Sequence, residues 1–130
     1  MKSKLFVLSL ILLTVSLSSY AQRWEKLGER VVNYKTDRDV IRCGHKGTFT
    51  ALRIHVENAP VEFHDIEVEF MNGSKQRINI REQIRAGGES RVIDLRGNKR
   101  VIKDITLIYH TSRHIGASKR KARVFIMGRH

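Results

Sequence analysis

The amino-acid sequence predicts an all-β protein, a single-domain antiparallel β-sandwich of about eight strands. Three observations indicate this fold. Apolar and polar residues alternate with a period of two from Thr48 to Ile80, which places one set of side chains in a core and the other in water. Turn residues such as glycine, asparagine and proline separate the alternating segments at short intervals. After the amino-terminal segment, no part of the chain has convincing helical periodicity. A flattened β-barrel is the alternative arrangement of the same strands.

The amino-terminal segment has the pattern of a secretory signal peptide. Two lysines precede a mostly apolar run from Leu5 to Leu17, and Ser19 and Ala21 supply small residues at positions −3 and −1. The alternative is an uncleaved membrane anchor, but the run is shorter than the about 20 apolar residues that span a bilayer. The sequence therefore predicts a signal peptide over residues 1–21 and an exported β-sandwich domain over residues 22–130.

The first three predicted strands follow this segment. Trp24 to Asn33 forms the first, and Gly28 inside it indicates a bulge or a close approach of two backbones. A polar connection leads to a short strand from Val40 to Cys43. After a glycine-rich turn, the third strand runs from Phe49 to Glu57.

The fourth strand, Val61 to Phe70, begins after a turn at Pro60, since proline cannot donate to a β-ladder. The phase of its apolar residues changes near His64 and Asp65. One extra residue at that point restores the inward face, which predicts a β-bulge.

A hairpin with a three-residue loop is predicted after the fourth strand. A loop of this length sets a pairing register in which each strand face meets residues of matching polarity. Apolar residues then pair on one face, and acidic residues meet polar or basic ones on the other. The predicted pairs are Val68 with Ile78, Ile66 with Ile80, Glu69 with Arg77 and Glu67 with Asn79, with Arg81 beyond them.

The rest of the chain supplies three more predicted strands. A loop from Gln83 to Glu89 precedes a strand from Arg91 to Leu95. The long strand from Val101 to His110 is apolar on both faces and should be central in its sheet. After a loop from Thr111 to Ser118, the last strand runs from Lys121 to Met127.

Several of these segments carry a family resemblance. The segments are Leu27-Gly28-Glu29-Arg30-Val31-Val32, Asp37-Arg38-Asp39, the run Phe49 to Phe70 with Ala59-Pro60-Val61-Glu62-Phe63, and Gly87-Gly88 through Arg91-Val92-Ile93-Asp94-Leu95. The chain resembles small secreted bacterial β-sandwich proteins that are grouped as an uncharacterised domain of unknown function. The resemblance implies an exported protein, periplasmic or secreted, with no established activity. Because its motifs consist of strand and turn residues, it implies no catalytic roles.

The single cysteine, Cys43, bears on what holds the fold together. A chain with one cysteine has no internal disulfide, so hydrophobic packing must stabilise the fold. We expect Cys43 to be buried or half-buried as a small apolar side chain. A thiol available to solvent or an intermolecular bridge is the alternative.

No metal or cofactor is expected from the sequence. Although the chain has six histidines, a closed zinc site needs about four converging ligands at recognisable spacing, and no such spacing is present. His55 lies on the polar face of its strand and is expected to be exposed. The polar segment from Asp37 to Asp39 is expected in a loop, where its carboxylates cap a turn or, as the alternative, hold a cation.

The basic residues give the best functional indication. The chain has 25 lysines and arginines against 13 acidic residues, which favours anionic partners unless the charge only keeps the protein soluble. Two clusters suit phosphate or sulfate groups. These candidate anion-binding residues are Lys119, Arg120, Lys121 and Arg123 at the last strand, and Arg96, Lys99 and Arg100 around a turn. Aromatic residues, which stack on bases, are not interleaved among them, so the pattern does not favour nucleic acid as the partner.

Two functions remain open from the sequence. The first is an exported, non-catalytic module that binds an anionic lipid, a polysaccharide or an envelope protein through a basic face. The second is an enzyme whose site is assembled from residues far apart in the chain. Its candidate residues are Asp37, Asp39, His45, His55 and His64.

Overall fold

The computed structural model describes residues 23–32, 38–44, 47–110 and 121–130. The predicted signal peptide lies outside these residues, as do four of the candidate site residues, Asp37, His45, Lys119 and Arg120. The described ranges contain no helix that is long and apolar enough to cross a membrane.

In the described residues, nine antiparallel strands form two sheets. The strands are β1 Trp24–Val31, β2 Arg38–Arg42, β3 Ala51–Glu57, β4 Val61–Phe70, β5 Lys75–Ile78, β6 Glu82–Ile84, β7 Ile93–Asp94, β8 Ile102–His110 and β9 Arg123–Arg129. One sheet has the order β1-β9-β3-β7, and the other has the order β2-β8-β4-β5 with β6 also paired to β4. No described strand pair joins the two sheets, so the fold is the predicted β-sandwich and the flattened barrel is excluded.

The two sheets bury one continuous hydrophobic core between their inner faces. The period of two places Leu52, Ile54 and Val56 of β3 inward, where they are at most 1% exposed. Leu107 and Tyr109 of β8 enter the same core from the other sheet. Each fully buried aliphatic side chain contributes about 1.5–3 kcal/mol relative to an exposed one, so this packing stabilises the fold.

Three expectations about individual elements are confirmed. Cys43 is buried in the core. Strand β8 is central, between β2 and β4. The pairing of β1 with β9 shifts register between Lys26 and Gly28, and a β-carbon on Gly28 would overlap the side chain of Ile41. Gly28 therefore marks the expected bulge and leaves room for a side chain of the opposite sheet, since β2 belongs to the other sheet.

The bulge predicted in β4 is also confirmed. The pairing of β4 with β8 shifts register between Phe63 and Asp65. One extra residue in β4 brings the side chains of His64 and Asp65 together, with His64 Nδ1 lying 3.2 Å from Asp65 Oδ2.

The hairpin between β4 and β5 has the predicted three-residue loop, but its predicted register is wrong. Phe70 N donates to Ser74 O at 2.9 Å, so the loop is residues 71–73 and begins earlier than expected. Gly73 at the end of this loop has φ +87°, a conformation that glycine adopts without strain. Since the shift is two residues, the same residues still face the core. The observed pairs are Ile66 with Ile78, Glu67 with Arg77, Val68 with Gln76 and Glu69 with Lys75.

Two other expectations need correction. Strand β6 lies in the stretch that was expected to be a loop, because three residues are too few to show periodicity and pairing with β4 fixes their conformation. Asp39 belongs to strand β2 and not to a loop. Its carboxylate accepts a hydrogen bond of 2.8 Å from the Tyr109 hydroxyl. Asp39 thus supplies the hydrogen-bond partner that the hydroxyl of a buried tyrosine needs.

Candidate functional site

A groove of about 230 Å³ crosses the outer face of the four-stranded sheet. Alternation along β3 directs Arg53, His55 and Glu57 outward while their neighbours fill the core. On the adjacent strand β9, Met127 pairs with Arg53 and Phe125 pairs with His55. The groove is lined by Arg53, His55, Glu57, Glu89, Phe125 and Met127.

The floor of this outer-face groove is apolar. Phe125 and Met127 point outward from β9 and are half-buried. The Phe125 ring lies 5.8 Å from the His55 ring and is tilted from it by 42°. Lys26 Nζ lies 5.8 Å from the centre of the same Phe125 ring. An apolar floor inside a charged rim is typical of sites that bind small amphipathic ligands.

The rim of the groove is a network of paired charges. Glu89 Oε2 lies 3.3 Å from Arg53 Nε, and Glu57 Oε1 lies 3.2 Å from His55 Nε2. Glu89 Oε1 is 3.8 Å from His55 Nδ1, which is too long for a hydrogen bond. Arg53 Nε, despite its ion pair, and His55 Nδ1 are buried atoms without a hydrogen-bond partner in the described residues. Because both atoms are enclosed, a ligand in the groove would contact the other atoms of these side chains, which are 27% and 26% exposed.

Trp24 of β1 positions the arginine of the rim. The Arg53 guanidinium lies 4.4 Å from the centre of the Trp24 ring, and the Arg129 guanidinium lies 5.7 Å from it. Such cation–π contacts contribute about 0.5–1 kcal/mol at exposed sites and hold the guanidinium plane in one place. Trp24 and Arg53 are distant in sequence, so their contact could not be predicted without the strand order.

The first predicted basic cluster surrounds the turn before β8. Arg96 and Lys99 are exposed there. The Arg100 guanidinium lies 3.7 Å from the centre of the Phe70 ring and donates to Arg96 O at 2.8 Å and to Ser74 Oγ at 2.9 Å. Arg100 is thus largely engaged in holding two turns together. A groove of about 220 Å³ lies between Lys99, Arg100 and the hairpin loop.

The second predicted basic cluster is at the start of β9. Lys121 is exposed, and Arg123 Nη1 lies 3.5 Å from Glu29 Oε2. Residues 119 and 120 lie outside the described residues.

The structure places these two clusters at opposite ends of the sandwich. Arg123 begins β9 and Arg129 ends it, and Arg129 O accepts a hydrogen bond from Thr50 N beside the Phe49–Arg100 bridge. Six residue steps along a strand correspond to about 20 Å. The described members of the two clusters therefore form no single basic face, and anion binding by either cluster stays a prediction.

The described residues of the enzyme hypothesis do not converge. Asp39 contacts Tyr109, whereas His55 and His64 lie on strands of different sheets. His55 is half-buried in the outer-face groove, with 26% of its side chain exposed, so the expectation that it is exposed is wrong. In the described ranges no group of three or more histidine, cysteine or acidic side chains could hold a metal ion.

Comparison with protein families identifies the chain. One family model matches residues 5–128 and is described as Domain of unknown function (DUF2541). The chain belongs to the DUF2541 family. This confirms the resemblance to a domain of unknown function. A search of curated proteins finds no match.

Solved structures similar to this DUF2541 chain share its fold. The STIV MCP is 9% identical with a TM-score of 0.53, and the match covers 85% of this chain and 48% of that chain. This chain thus spans about half the length of that protein. CpGH89CBM32-4 of Clostridium perfringens is 13% identical with a TM-score of 0.51, and the match covers 82% of this chain and 93% of that chain. Identities this low indicate a common fold and nothing more.

Proposed function

We propose that this DUF2541 protein is an exported, non-catalytic binding module that holds one ring of an acidic polysaccharide in the outer-face groove. The observation that carries the proposal is the apolar floor of Phe125 and Met127 inside a rim of hydrogen-bonding side chains. A sugar ring has one face of C–H groups that packs on an aromatic ring and a periphery of hydroxyl groups that need polar partners. Export is supported by the signal-peptide pattern of residues 1–21.

The polar atoms of the groove favour an acidic sugar. The side chains of Arg53 and His55 line the groove and are 27% and 26% exposed, so each can contact a ligand that lies on the floor. The guanidinium of Arg53 matches the geometry of a carboxylate or sulfate group. The carboxylates of Glu57 and Glu89 can accept hydrogen bonds from sugar hydroxyls. Without Lys2 and Lys4 of the predicted signal peptide, the formal net charge of +12 becomes +10, which would favour the approach of a polyanion.

Binding fits this groove better than hydrolysis. A glycosidase needs one carboxyl group that stays protonated in an apolar environment, opposite a second carboxylate. Glu57 and Glu89 have 49% and 46% of their side chains exposed, and each lies against a basic side chain. Both are therefore placed to bind a ligand or to orient His55.

The proposal can be tested by titrating the purified protein with soluble acidic and neutral polysaccharides and measuring heat by calorimetry. We expect acidic polysaccharides to bind more tightly and their affinity to fall as salt is added. Phe125→Ala and Arg53→Gln should each reduce affinity about tenfold, because each removes one contact worth about 1–2 kcal/mol.

Lys75→Gln is the matched control. Lys75 also pairs with a glutamate, Glu67, at 3.6 Å, but on the outer face of the other sheet. Equal losses of affinity in Arg53→Gln and Lys75→Gln would indicate a diffuse charge effect and contradict the proposal. Release of shorter sugars during the titration would instead support an enzyme.

A further inference from the structure

A second cavity, of about 280 Å³, lies beside the bulge of β4 on the five-stranded sheet. Glu62 and His110, which pair directly across β4 and β8, form one side of it. The cavity is lined by Glu62, Phe63, His64, Arg81 and His110. It is separate from the outer-face groove, which belongs to the other sheet, so the following inference does not rest on the proposed function.

Two imidazoles meet at this cavity. The rings of His64 and His110 have centres 5.2 Å apart and an interplanar angle of 72°. His64 Nδ1 lies 3.2 Å from Asp65 Oδ2, and the hydrogen bond from Arg77 keeps the pKa of that carboxyl below its usual value. The carboxylate of Asp65 therefore engages the Nδ1–H group of His64. The Nε2 atom of His64 is left as the ring nitrogen that can contact a ligand.

Arg81 joins the cavity through an unusual backbone conformation. Its φ is +41°, and its backbone N donates to His64 O at 3.1 Å. For an arginine this left-handed conformation is strained, and such residues concentrate at ligand sites. In the described part of the chain, no ion pair or hydrogen bond engages the exposed Arg81 guanidinium. Two irregularities, the β4 bulge and the strained arginine, are thus joined by one hydrogen bond.

We propose that Arg81, His64 and His110 form a binding site for a phosphate or sulfate group. The planar guanidinium of Arg81 donates two parallel hydrogen bonds to such an oxyanion. The His64 Nε2–H and the His110 ring donate from the other side of the cavity when these histidines are protonated. The cavity is large enough for the oxyanion and a small group attached to it.

Two acidic side chains lie near the proposed site. Asp65 is paired with Arg77, whose Nη2 lies 2.6 Å from Asp65 Oδ2. Glu62 lines the cavity itself and opposes an anion, so the three basic side chains must outweigh its charge.

The test is a titration of the purified protein with inorganic phosphate, followed by NMR signals of the histidine rings. We expect phosphate to shift the signals of both His64 and His110, because the two rings border the cavity. Arg81→Gln should weaken phosphate binding about tenfold. Arg85→Gln removes the same charge from an exposed arginine that does not line the cavity, and it should leave affinity unchanged.

Further measurements separate the possible sources of the oxyanion and contradict the proposal if it is wrong. Binding to phosphatidylcholine vesicles that contain phosphatidylglycerol, reduced by Arg81→Gln, would support the site and assign it to a lipid headgroup. Binding of inorganic phosphate without vesicle binding would support it and assign it to a soluble phosphate. Unshifted His64 and His110 signals, equal losses in Arg81→Gln and Arg85→Gln, or shifts caused by Zn²⁺ but not by phosphate would overturn it.

Discussion

The carboxylate of Asp65 accepts two hydrogen bonds from the guanidinium of Arg77, from Nε at 3.1 Å and from Nη2 at 2.6 Å. The Asp65 side chain is only 3% exposed, whereas that of Arg77 is 57% exposed. The hydrogen bond from Arg77 lowers the pKa of Asp65, against burial, which raises it. The exposed arginine thus keeps a buried carboxylate charged.

This pair predicts how stability depends on pH. The pKa of Asp65 is lower in the folded protein than in the unfolded chain, where it is about 3.9. The charged carboxylate therefore contributes fully to stability above about pH 3.9. This contribution is lost as the pH falls through the folded-state pKa. We expect Arg77→Gln to lower the free energy of unfolding at neutral pH more than Lys75→Gln, which affects an exposed pair. The difference should shrink below about pH 4. Urea unfolding at several pH values measures it, and a difference that does not vary with pH would contradict this explanation.

A second prediction concerns the packing of Gly128 in β9. A β-carbon on Gly128 would lie 2.6 Å from Cδ1 and 2.9 Å from Cε1 of Phe49. Gly128→Ala should therefore destabilise the protein by about 1–3 kcal/mol, the usual cost of overpacking a core. Phe49→Leu removes these ring atoms, so the double variant should lose less stability than the sum of the two single variants. Additive losses in thermal unfolding would show that the contact with Phe49 is not the cause.

A third prediction concerns the predicted signal peptide. Among the described residues the core begins with Leu27, and β1 begins at Trp24, while the apolar run before them lacks the alternating pattern of the strands. A chain that begins at Gln22 should therefore fold with a cooperative thermal transition and a β-type circular dichroism spectrum. If this chain stays unfolded while the longer chain folds, the amino-terminal residues contribute to the fold and the prediction is wrong.

The long strands could be predicted because apolar and polar residues alternate along them as the side chains alternate between core and solvent. In β4, the change of apolar phase near His64 indicated the bulge, and the structure has it there. The same reasoning located β3 and identified β8 as central. Strand β6 was missed because three residues are too short for a period of two to be visible, and only pairing with β4 holds them extended.

The candidate sites could not be predicted because they depend on which strands are neighbours. Phe125 lies beside His55 only because β9 pairs with β3, far away in sequence. Arg81 reaches His64 because the β4–β5 register places it beyond β5, where its backbone can bond to the bulge. An alternating pattern shows which side chains leave the core, but it does not show which of them meet on the surface.

The last prediction concerns the two basic clusters at opposite ends of the sandwich. Lys99 and Lys121 are both exposed, and they belong to clusters about 20 Å apart, beyond the screening length of about 8 Å at physiological salt. If each cluster binds anions, Lys99→Gln and Lys121→Gln should each lower the salt concentration that elutes the protein from heparin. The double variant should lose the sum of the two effects, because distant sites act independently. Melting temperatures should stay nearly unchanged, since these side chains are exposed.

Lys75→Gln, which removes a lysine already paired with Glu67 at 3.6 Å, is the control for the heparin measurement. If only one lysine matters, the anion site is confined to that end of the sandwich, and if all three variants lose retention equally, heparin senses only the net charge.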